Sequence, residues 1–333
     1  MSEINQQGQK DEQNWENLLR PDEFSKYVGQ NPVKKSLKII LEAANKRNEP
    51  IDHILLYGQA GLGKTTLAHI IAKEAKGNLR ITSGPAIEKT GDLAAILTNL
   101  ENGDILFIDE VHRLNRMIEE VLYSAMESRT LNIVLGKGPS ARTISIDLQP
   151  FTLIAATTRM DLLSGPLRSR FGATFRLDYY SIQDIEEIIK RSASILGVQI
   201  SDEAVETLAK VSRFTPRTAN RILKRARDVA EVRDQKLINE KCLEELFEVL
   251  EIDNFGLEYQ DRRILCILRD QFNGGPAGIG SLASSLGEER NIIESVYEPY
   301  LIKIGLIKRT PAGRALTDKG ISYLNDLEKS ENR

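Results

Sequence analysis

Ile54-Leu55-Leu56-Tyr57-Gly58-Gln59-Ala60-Gly61-Leu62-Gly63-Lys64-Thr65-Thr66-Leu67-Ala68 decides the reading of this chain. Four apolar residues make a buried strand, Gly58 to Thr65 satisfies GxxxxGK[ST], and the residues after it open a helix, which is the context in which that pattern binds phosphate. The glycines let backbone N–H groups wrap an anion at the helix N-terminus, where unpaired amides carry partial positive charge. Gly61, Gly63, Lys64, Thr65 and Thr66 are therefore the expected nucleotide cradle. Lys64 supplies a point charge to the β and γ oxygens and Thr65 a hydroxyl for Mg²⁺, so ATP and Mg²⁺ are the expected cofactors.

Downstream, Ile105-Leu106-Phe107-Ile108-Asp109-Glu110 is an apolar strand ending in two carboxylates, the pattern of a Walker B element. Asp109 is suited to hold the metal ion and Glu110 to polarise the attacking water as general base. His112 has no metal-ligand spacing around it and reads as structural. A third strand, Phe151 to Ala156, delivers Thr157-Thr158-Arg159 to the edge of the sheet where ligands of open α/β folds sit, so one of these threonines can orient the water. Leu167-Arg168-Ser169-Arg170-Phe171 offers two arginines; such a pair is ordinarily a solvated face, yet an arginine supplied in trans also stabilises phosphoryl transition states. Lys210 to Arg227 holds seven basic residues and no acid, with Pro216 fitting the first turn of a helix and Arg217 near its start. For Arg221, Lys224, Arg225 and Arg227 an exposed helix face and a nucleic-acid contact stay open as equal readings.

The remainder of the 333 residues is consistent with a globular protein of two or three domains. Forty-five Lys+Arg against 48 Asp+Glu give a net charge of −3, which argues against nucleic-acid binding by the whole surface but not by local patches. The longest uncharged stretch, Gln271 to Gly287, contains five glycines and a proline and cannot span a membrane, and the polar first 25 residues are no secretory signal, so a cytoplasmic location is expected. Cys242 and Cys266 lie in helix-like apolar patterns and read as core residues. Strand-like runs alternate with amphipathic ones as far as Tyr180, the signature of a parallel α/β sheet. From Ser181 to about Leu250 only helical periodicity occurs, and Glu258 to Leu327 reads as three helices followed by a β-hairpin, a winged helix. The expected organisation is a flexible leader at 1–23, a large ATPase domain at 24–180, a helical lid at 181–254 and a winged-helix DNA-binding domain at 255–333.

Together these residues resemble the AAA+ ATPases and, more narrowly, the RuvB family of bacterial Holliday-junction branch-migration motors. The resemblance runs from about Leu19 to Thr317. The Walker elements alone specify only a P-loop ATPase. Gly136-Lys137-Gly138-Pro139-Ser140-Ala141-Arg142 and Pro166-Leu167-Arg168-Ser169-Arg170-Phe171-Gly172 separate this family from other AAA+ proteins, with support from Tyr27-Val28-Gly29-Gln30, Thr215-Pro216-Arg217 and Glu298-Pro299-Tyr300-Leu301. The resemblance implies that Leu19, Arg20, Tyr27 and Val28 line the base pocket with Tyr180 near the adenosine, that Thr158 is sensor 1, Arg170 the trans-acting finger and Arg217 sensor 2, and that Arg309 and Arg314 contact DNA. It also implies a hexameric ring acting on double-stranded DNA at Holliday junctions, with the junction-binding protein RuvA and the resolvase RuvC as partners. The chain departs from the family at Gln59-Ala60, usually two prolines, at Arg129, usually an aromatic, at Phe214, usually glycine, and at Ala312, usually arginine.

Two alternatives stand beside the DNA motor: an AAA+ loader or remodeller acting on polypeptide, and a nucleotide-gated transcription regulator. Five Lys+Arg against the single acid Asp318 between Tyr300 and Gly320 suit phosphate contacts and favour DNA. Residues 131–148 add an inserted β-hairpin, Leu131, Ile133 and Leu135 alternating on one arm and Ile144, Ile146 and Leu148 on the other. Such an apolar face packs on its own domain or docks a partner; the resemblance implies RuvA, and Ile133 and Ile146 are the residues expected to face it.

Overall fold

The computed structural model describes residues 15–135 and 142–331 and divides into two compact units, 1–180 and 181–333. In the first unit a short helix α1 (residues 15–19) and helix α2 (Asn31–Arg47) precede a five-stranded sheet. Its strands are β1 (Ile54–Tyr57), β2 (Leu79–Ser83), β3 (Ile105–Asp109), β6 (Thr152–Thr157) and β7 (Ala173–Arg176), in the order β2-β3-β6-β1-β7 with every pairing parallel. Strands β1, β3 and β6 are buried nearly throughout, which is why they read as continuous apolar runs. Helices α3 (Lys64–Glu74), α4 (Thr90–Thr98), α5 (Arg116–Ser128) and α6 (Gly165–Ser169) form the crossovers of this α/β layer. Leu93, Leu97, Ile118 and Leu122 of α4 and α5 bury against Leu106, Ile108, Leu153 and Ala155 of the sheet.

The expected leader divides in two. Residues 1–14 lie outside the described part of the chain, whereas α1 buries Leu19 and Asp22 is ion-paired to Lys26 and Lys73, so the segment just before Glu23 is held against the first unit. The inserted hairpin is present as β4 (Thr130–Leu135) paired antiparallel with β5 (Arg142–Asp147). Its base belongs to the core: Leu131 and Leu148 are buried and Ile146 packs against the same cluster, while Ile144 is 45% exposed. Ile146 is therefore a core-facing residue rather than a free docking one. The side chain of Ile133 and the loop 136–141 fall outside what is described.

The second unit begins with a helical bundle of α7 (Ile182–Ile195), α8 (Asp202–Val211), α9 (Pro216–Val232) and α10 (Glu240–Leu250). Each starts on a polar cap: Ser181, Ser201, Thr215 and Asn239 accept hydrogen bonds from the backbone N–H three residues on, each cap contributing about 1 kcal/mol. Where only helix was expected, the two-residue strands β8 (Gln199–Ile200) and β9 (Leu237–Ile238) pair in parallel, too short to leave a periodic signal. There follow α11 (Tyr259–Asp270), α12 (Ile279–Leu286), α13 (Arg290–Ile292), a π turn (Ile293–Tyr297) and α14 (Glu298–Lys303). The antiparallel wing β10 (Ile307–Thr310) and β11 (Gly313–Leu316) and a closing helix α15 (Asp318–Glu331) complete the chain. Leu265, Leu268, Leu282, Leu301 and Leu306 form the core of this winged helix. Among the described residues no helix is long and apolar enough to cross a membrane.

Candidate active site

The parallel order places β6 between β1 and β3, with Tyr57 opposite Thr157 and Ile108 opposite Ala155. The carboxyl ends of three neighbouring strands therefore carry the phosphate loop, Asp109-Glu110 and Thr157-Thr158, the place where open α/β sheets bind ligands. Gly63 caps α3 at φ 93°, and a Cβ there would lie 2.8 Å from the Tyr27 hydroxyl, so neither the backbone conformation nor the space admits a side chain. Lys64, only 7% exposed, folds into the loop and its Nζ donates to the carbonyls of Gly58 at 2.8 Å and Gln59 at 2.9 Å. Thr65 and Thr66 occupy the first turn of α3, and Gly61 lies in the loop at φ 79°. The tight loop ahead of helix amides fits a nucleotide's phosphates, and the Thr65 hydroxyl with the Asp109 carboxylate gives the hard oxygen donors that suit Mg²⁺, an ion usually held by one or two side chains together with substrate phosphates.

The loop rests on two tyrosines. Tyr180 Oη donates within reach of Tyr27 Oη (3.1 Å) and the Leu62 carbonyl (3.2 Å), and Tyr27 Oη donates to the same carbonyl (3.4 Å). Burial, reinforced by the neighbouring Tyr180 hydroxyl, pushes the Tyr27 phenol far above its ordinary pKa. Leu19 is buried nearby in sequence, and Val28 is half-buried. Arg20 Nη1 lies 2.7 Å from His69 Nε2 on α3; arginine only donates, so Nε2 is the acceptor. Burial first and the Arg20 charge second lower the His69 pKa, in keeping with that neutral ring.

Glu110 leaves β3 in a left-handed conformation, φ 48°, and the 3₁₀ turn Val111–Arg113 after it swings His112 back over β6. The Glu110 carboxylate accepts a hydrogen bond from Thr158 Oγ1 at 3.2 Å and lies 3.1 Å from His112 Nδ1, which is also 2.9 Å from Thr157 Oγ1. The Thr157 hydroxyl in turn accepts from the Arg159 N–H at 2.9 Å. A carboxylate can only accept, so the tautomer that carries its proton on Nδ1 serves both neighbours. Burial lowers the His112 pKa against the pull of Glu110, favouring the neutral ring. His112 thus has a structural part that its sequence context does not specify: it braces the candidate general base. Its position two residues after Glu110 was the available signal. Asp109 Oδ1 accepts from the Glu110 N–H at 2.9 Å, which orients the first carboxylate independently of the second.

Arg170 caps α6. Its guanidinium donates to Tyr123 Oη at 2.8 Å, pairs with Glu127 and lies 4.8 Å over the Tyr123 ring, so a finger-type arginine is held by an aromatic and an acid one helical turn apart on α5. Arg217 is exposed in the first turn of α9, in the other unit. Among the basic residues of α9, Arg221 pairs with Glu258 at the start of α11, Arg225 with Asp228 and Arg227 with Asp228 and Glu231, so much of the apparent excess of charge is compensated by acids outside the run. Of the family departures, Arg129 ends α5 at φ 53° and Ala312 is exposed at the wing turn.

In the wing, Arg309 and Arg314 stand directly opposite each other across the strands, and both point at Glu298, which is 1% exposed. Arg314, 13% exposed, also bonds Glu294 at 2.8 Å, whereas Arg309 is 59% exposed with its Nε 2.5 Å from Glu298. The two arginines thus differ in kind. Arg314→Ala should cost about 3 kcal/mol of unfolding free energy because it strips a buried carboxylate of its main partner. Arg309→Ala should leave stability nearly unchanged and, if the wing contacts DNA as the resemblance implies, lower the salt dependence of that binding by about one unit. Denaturant titration and DNA affinity at several salt concentrations separate them; an unchanged midpoint for Arg314→Ala would show that the pair is not structural.

Comparison with known proteins places these features in one lineage. Residues 19–177 match the Holliday junction DNA helicase RuvB P-loop domain, 180–253 the RuvB AAA lid domain and 254–325 the RuvB C-terminal winged helix domain. The Holliday junction branch migration complex subunit RuvB of Thermotoga maritima is 53% identical over 316 residues, 95% of this chain and 94% of that one. The structure of the Thermotoga maritima RuvB Holliday junction branch migration motor superposes with a TM-score of 0.86 at 50% identity, covering 92% of this chain and 98% of that one. The R170A variant of the same protein gives 0.85 with the same identity and coverage. With all three of its parts matched in order, the chain belongs to the RuvB family of AAA+ ATP-hydrolysing branch-migration motors.

Proposed function

We propose that this chain hydrolyses Mg²⁺-ATP at sites shared between neighbouring subunits of a hexameric ring and uses the cycle to pump duplex DNA through Holliday junctions. The observation that carries this reading is the convergence of Lys64, Asp109, Glu110 and Thr158 on three adjacent strand ends in a chain that also carries a winged helix. Gly61, Gly63, Lys64, Thr65 and Thr66 hold the phosphates, and Leu19, Arg20, Tyr27, Val28 and Tyr180 border the adenosine. Thr65 and Asp109 hold Mg²⁺, which when bound neutralises charge on the β and γ oxygens. Glu110 takes a proton from the attacking water, Thr158 fixes the carboxylate that does so, and the bond between the γ-phosphorus and the bridging oxygen breaks as the new P–O bond forms. Arg170 of a neighbouring subunit stabilises the charge on the transferring group, and Arg217 reports nucleotide from the lid. The domains divide at 24–180, 181–254 and 255–333.

ATPase rate with and without a four-way DNA junction tests this reading. Several-fold stimulation by the junction supports the motor; stimulation by a polypeptide and not by DNA supports the loader or remodeller.

The 131–148 hairpin is the docking site for RuvA, and RuvC acts on the same junction. The exposure of Ile144, on the same face of the hairpin as Ile146 and Leu148 but further from its buried base, supports a surface for partner contact. Ile144→Glu is expected to abolish stimulation by RuvA while leaving the rate without RuvA unchanged, read by ATPase assays with and without RuvA; full stimulation of the variant would place docking elsewhere.

A further inference from the structure

The connection from α8 to α9 contains two successive non-glycine residues in the left-handed region, Arg213 at φ 55° and Phe214 at φ 57°. Side chains rarely adopt this conformation, and a pair of them persists only where surrounding structure over-determines it. Here the determinant is the winged helix. Arg213 Nε donates to the Gly256 carbonyl at 2.9 Å and its Nη2 to Asp261 Oδ2 at 2.6 Å, with Glu258 3.6 Å away and the Tyr300 ring 5.2 Å beneath the guanidinium. Asp261 is wholly buried, and its other oxygen has no hydrogen-bond partner among the described residues. The Phe214 ring lies 6.3 Å from that of Tyr300 and packs against the winged-helix core, with Lys303 Nζ 5.8 Å from its centroid. On the far side Gly256, at φ 70°, comes so near Val211 that a Cβ would lie 2.5 Å from the Val211 carbonyl oxygen.

The same short connection ends at Thr215, whose hydroxyl caps α9, and Arg217 follows in the first turn of that helix. Arg221, one turn further, reaches Glu258 at the start of α11 at 2.7 Å. The end of α8 and the connection that leads into α9 are thereby fastened to the head of the winged helix by a buried ion pair, an aromatic contact and a backbone contact too close for any side chain, and Arg221 adds a surface ion pair from α9 itself. A rigid packed interface of this kind moves as a unit or switches between discrete arrangements; it does not stretch.

We propose that Arg213 is a positioning residue that couples DNA engagement by the winged helix to the setting of Arg217, the Arg213–Asp261 clamp making the first turn of α9 follow the DNA-binding domain. This deepens the motor reading and rests on it, because it takes Arg217 as the nucleotide-reporting arginine and the terminal domain as the DNA-binding one. Phe214 stands where the family usually has glycine, and its ring adds to the clamp a contact that glycine cannot make.

Coupling between two binding events is reciprocal, so it can be read from both ends. In the full chain, Arg213→Ala and Asp261→Asn should reduce the ratio of duplex-stimulated to unstimulated ATPase rate to about 1. They should also remove the change in DNA affinity that a non-hydrolysable ATP analogue produces. Arg213→Lys, which keeps the charge but loses the forked contact to Gly256 and Asp261, should fall between. A folded Arg213→Ala chain whose stimulation ratio and analogue effect match the wild type would overturn the clamp. If Arg213→Ala does not fold, Phe214→Gly takes its place: a lowered stimulation ratio supports the coupling, and an unchanged one refutes it. A wild-type chain that shows no DNA stimulation overturns the motor reading and this inference with it, whereas a stimulated wild type beside an equally stimulated Arg213→Ala chain overturns the clamp alone.

Discussion

Glu110→Gln should lower ATP turnover by about 10²- to 10⁴-fold while nucleotide still binds, because removal of a general base leaves the phosphate cradle intact. The amide keeps the shape of the carboxylate, and its oxygen can still accept the Thr158 hydrogen bond at 3.2 Å, so the local structure should persist. Lys64→Ala should behave differently. It removes the buried ammonium that the loop carbonyls of Gly58 and Gln59 hold in place, and with it the charge offered to the β and γ oxygens, so tight nucleotide binding itself should be lost. His112→Ala should be milder than either, with binding retained and turnover down by about 10-fold, since it leaves Glu110 with the Thr158 contact alone. Equilibrium binding of a fluorescent ATP analogue beside steady-state hydrolysis distinguishes the three, and equal loss of binding in Glu110→Gln and Lys64→Ala would contradict the assigned roles.

The second large effect concerns the proposed ring. Arg170→Ala should leave nucleotide binding nearly intact and cut hydrolysis by about 10³-fold, the scale of a lost arginine finger. The variant should fold, because Arg170 is bonded to Tyr123 and Glu127 at a helix end and not within the core. The test of trans action is mixing: Arg170→Ala and Glu110→Gln chains are each nearly inactive, yet an interface that takes its arginine from one and its base from the other has both. Activity should therefore reappear in mixtures and peak at intermediate ratios. A mixture no more active than its components at any ratio would show that the arginine acts within its own subunit.

The parts that were legible in the sequence share a physical feature: their signal is local. Ile54 to Ala68 declares strand, loop and helix within fifteen positions because the glycines, the lysine and the apolar flanks all serve one geometry. Strands β3 and β6 were equally plain, being buried on both faces. By contrast β2 and β7 lie at the edges of the sheet, where Leu79-Arg80-Ile81-Thr82-Ser83 and Ala173-Thr174-Phe175-Arg176 are half exposed and lack any apolar run. Burial on one side only left them without a continuous pattern. The contacts that no local pattern announces depend on return paths of the chain. His112 acquires its contact with Glu110 through a 3₁₀ turn that follows a left-handed residue, and nothing in Val111-His112-Arg113 announces that turn. Arg314 reads as one more basic residue of a wing until Glu298, sixteen positions earlier on α14, is seen to neutralise it. Phe214 stands out in the sequence only as a departure; its meaning lies in Tyr300, far along the chain.

In the proposed cycle, ATP hydrolysis at Lys64, Glu110 and Thr158 drives the movement of DNA junctions. The most direct measurement is the conversion of a mobile, labelled four-way junction into its two duplex products by the full chain with RuvA, ATP and Mg²⁺, followed on a native gel beside the Glu110→Gln chain. Conversion by the wild type that requires ATP and is absent with Glu110→Gln is the predicted result. Vigorous ATP hydrolysis with the junction left unconverted in the presence of RuvA would contradict it.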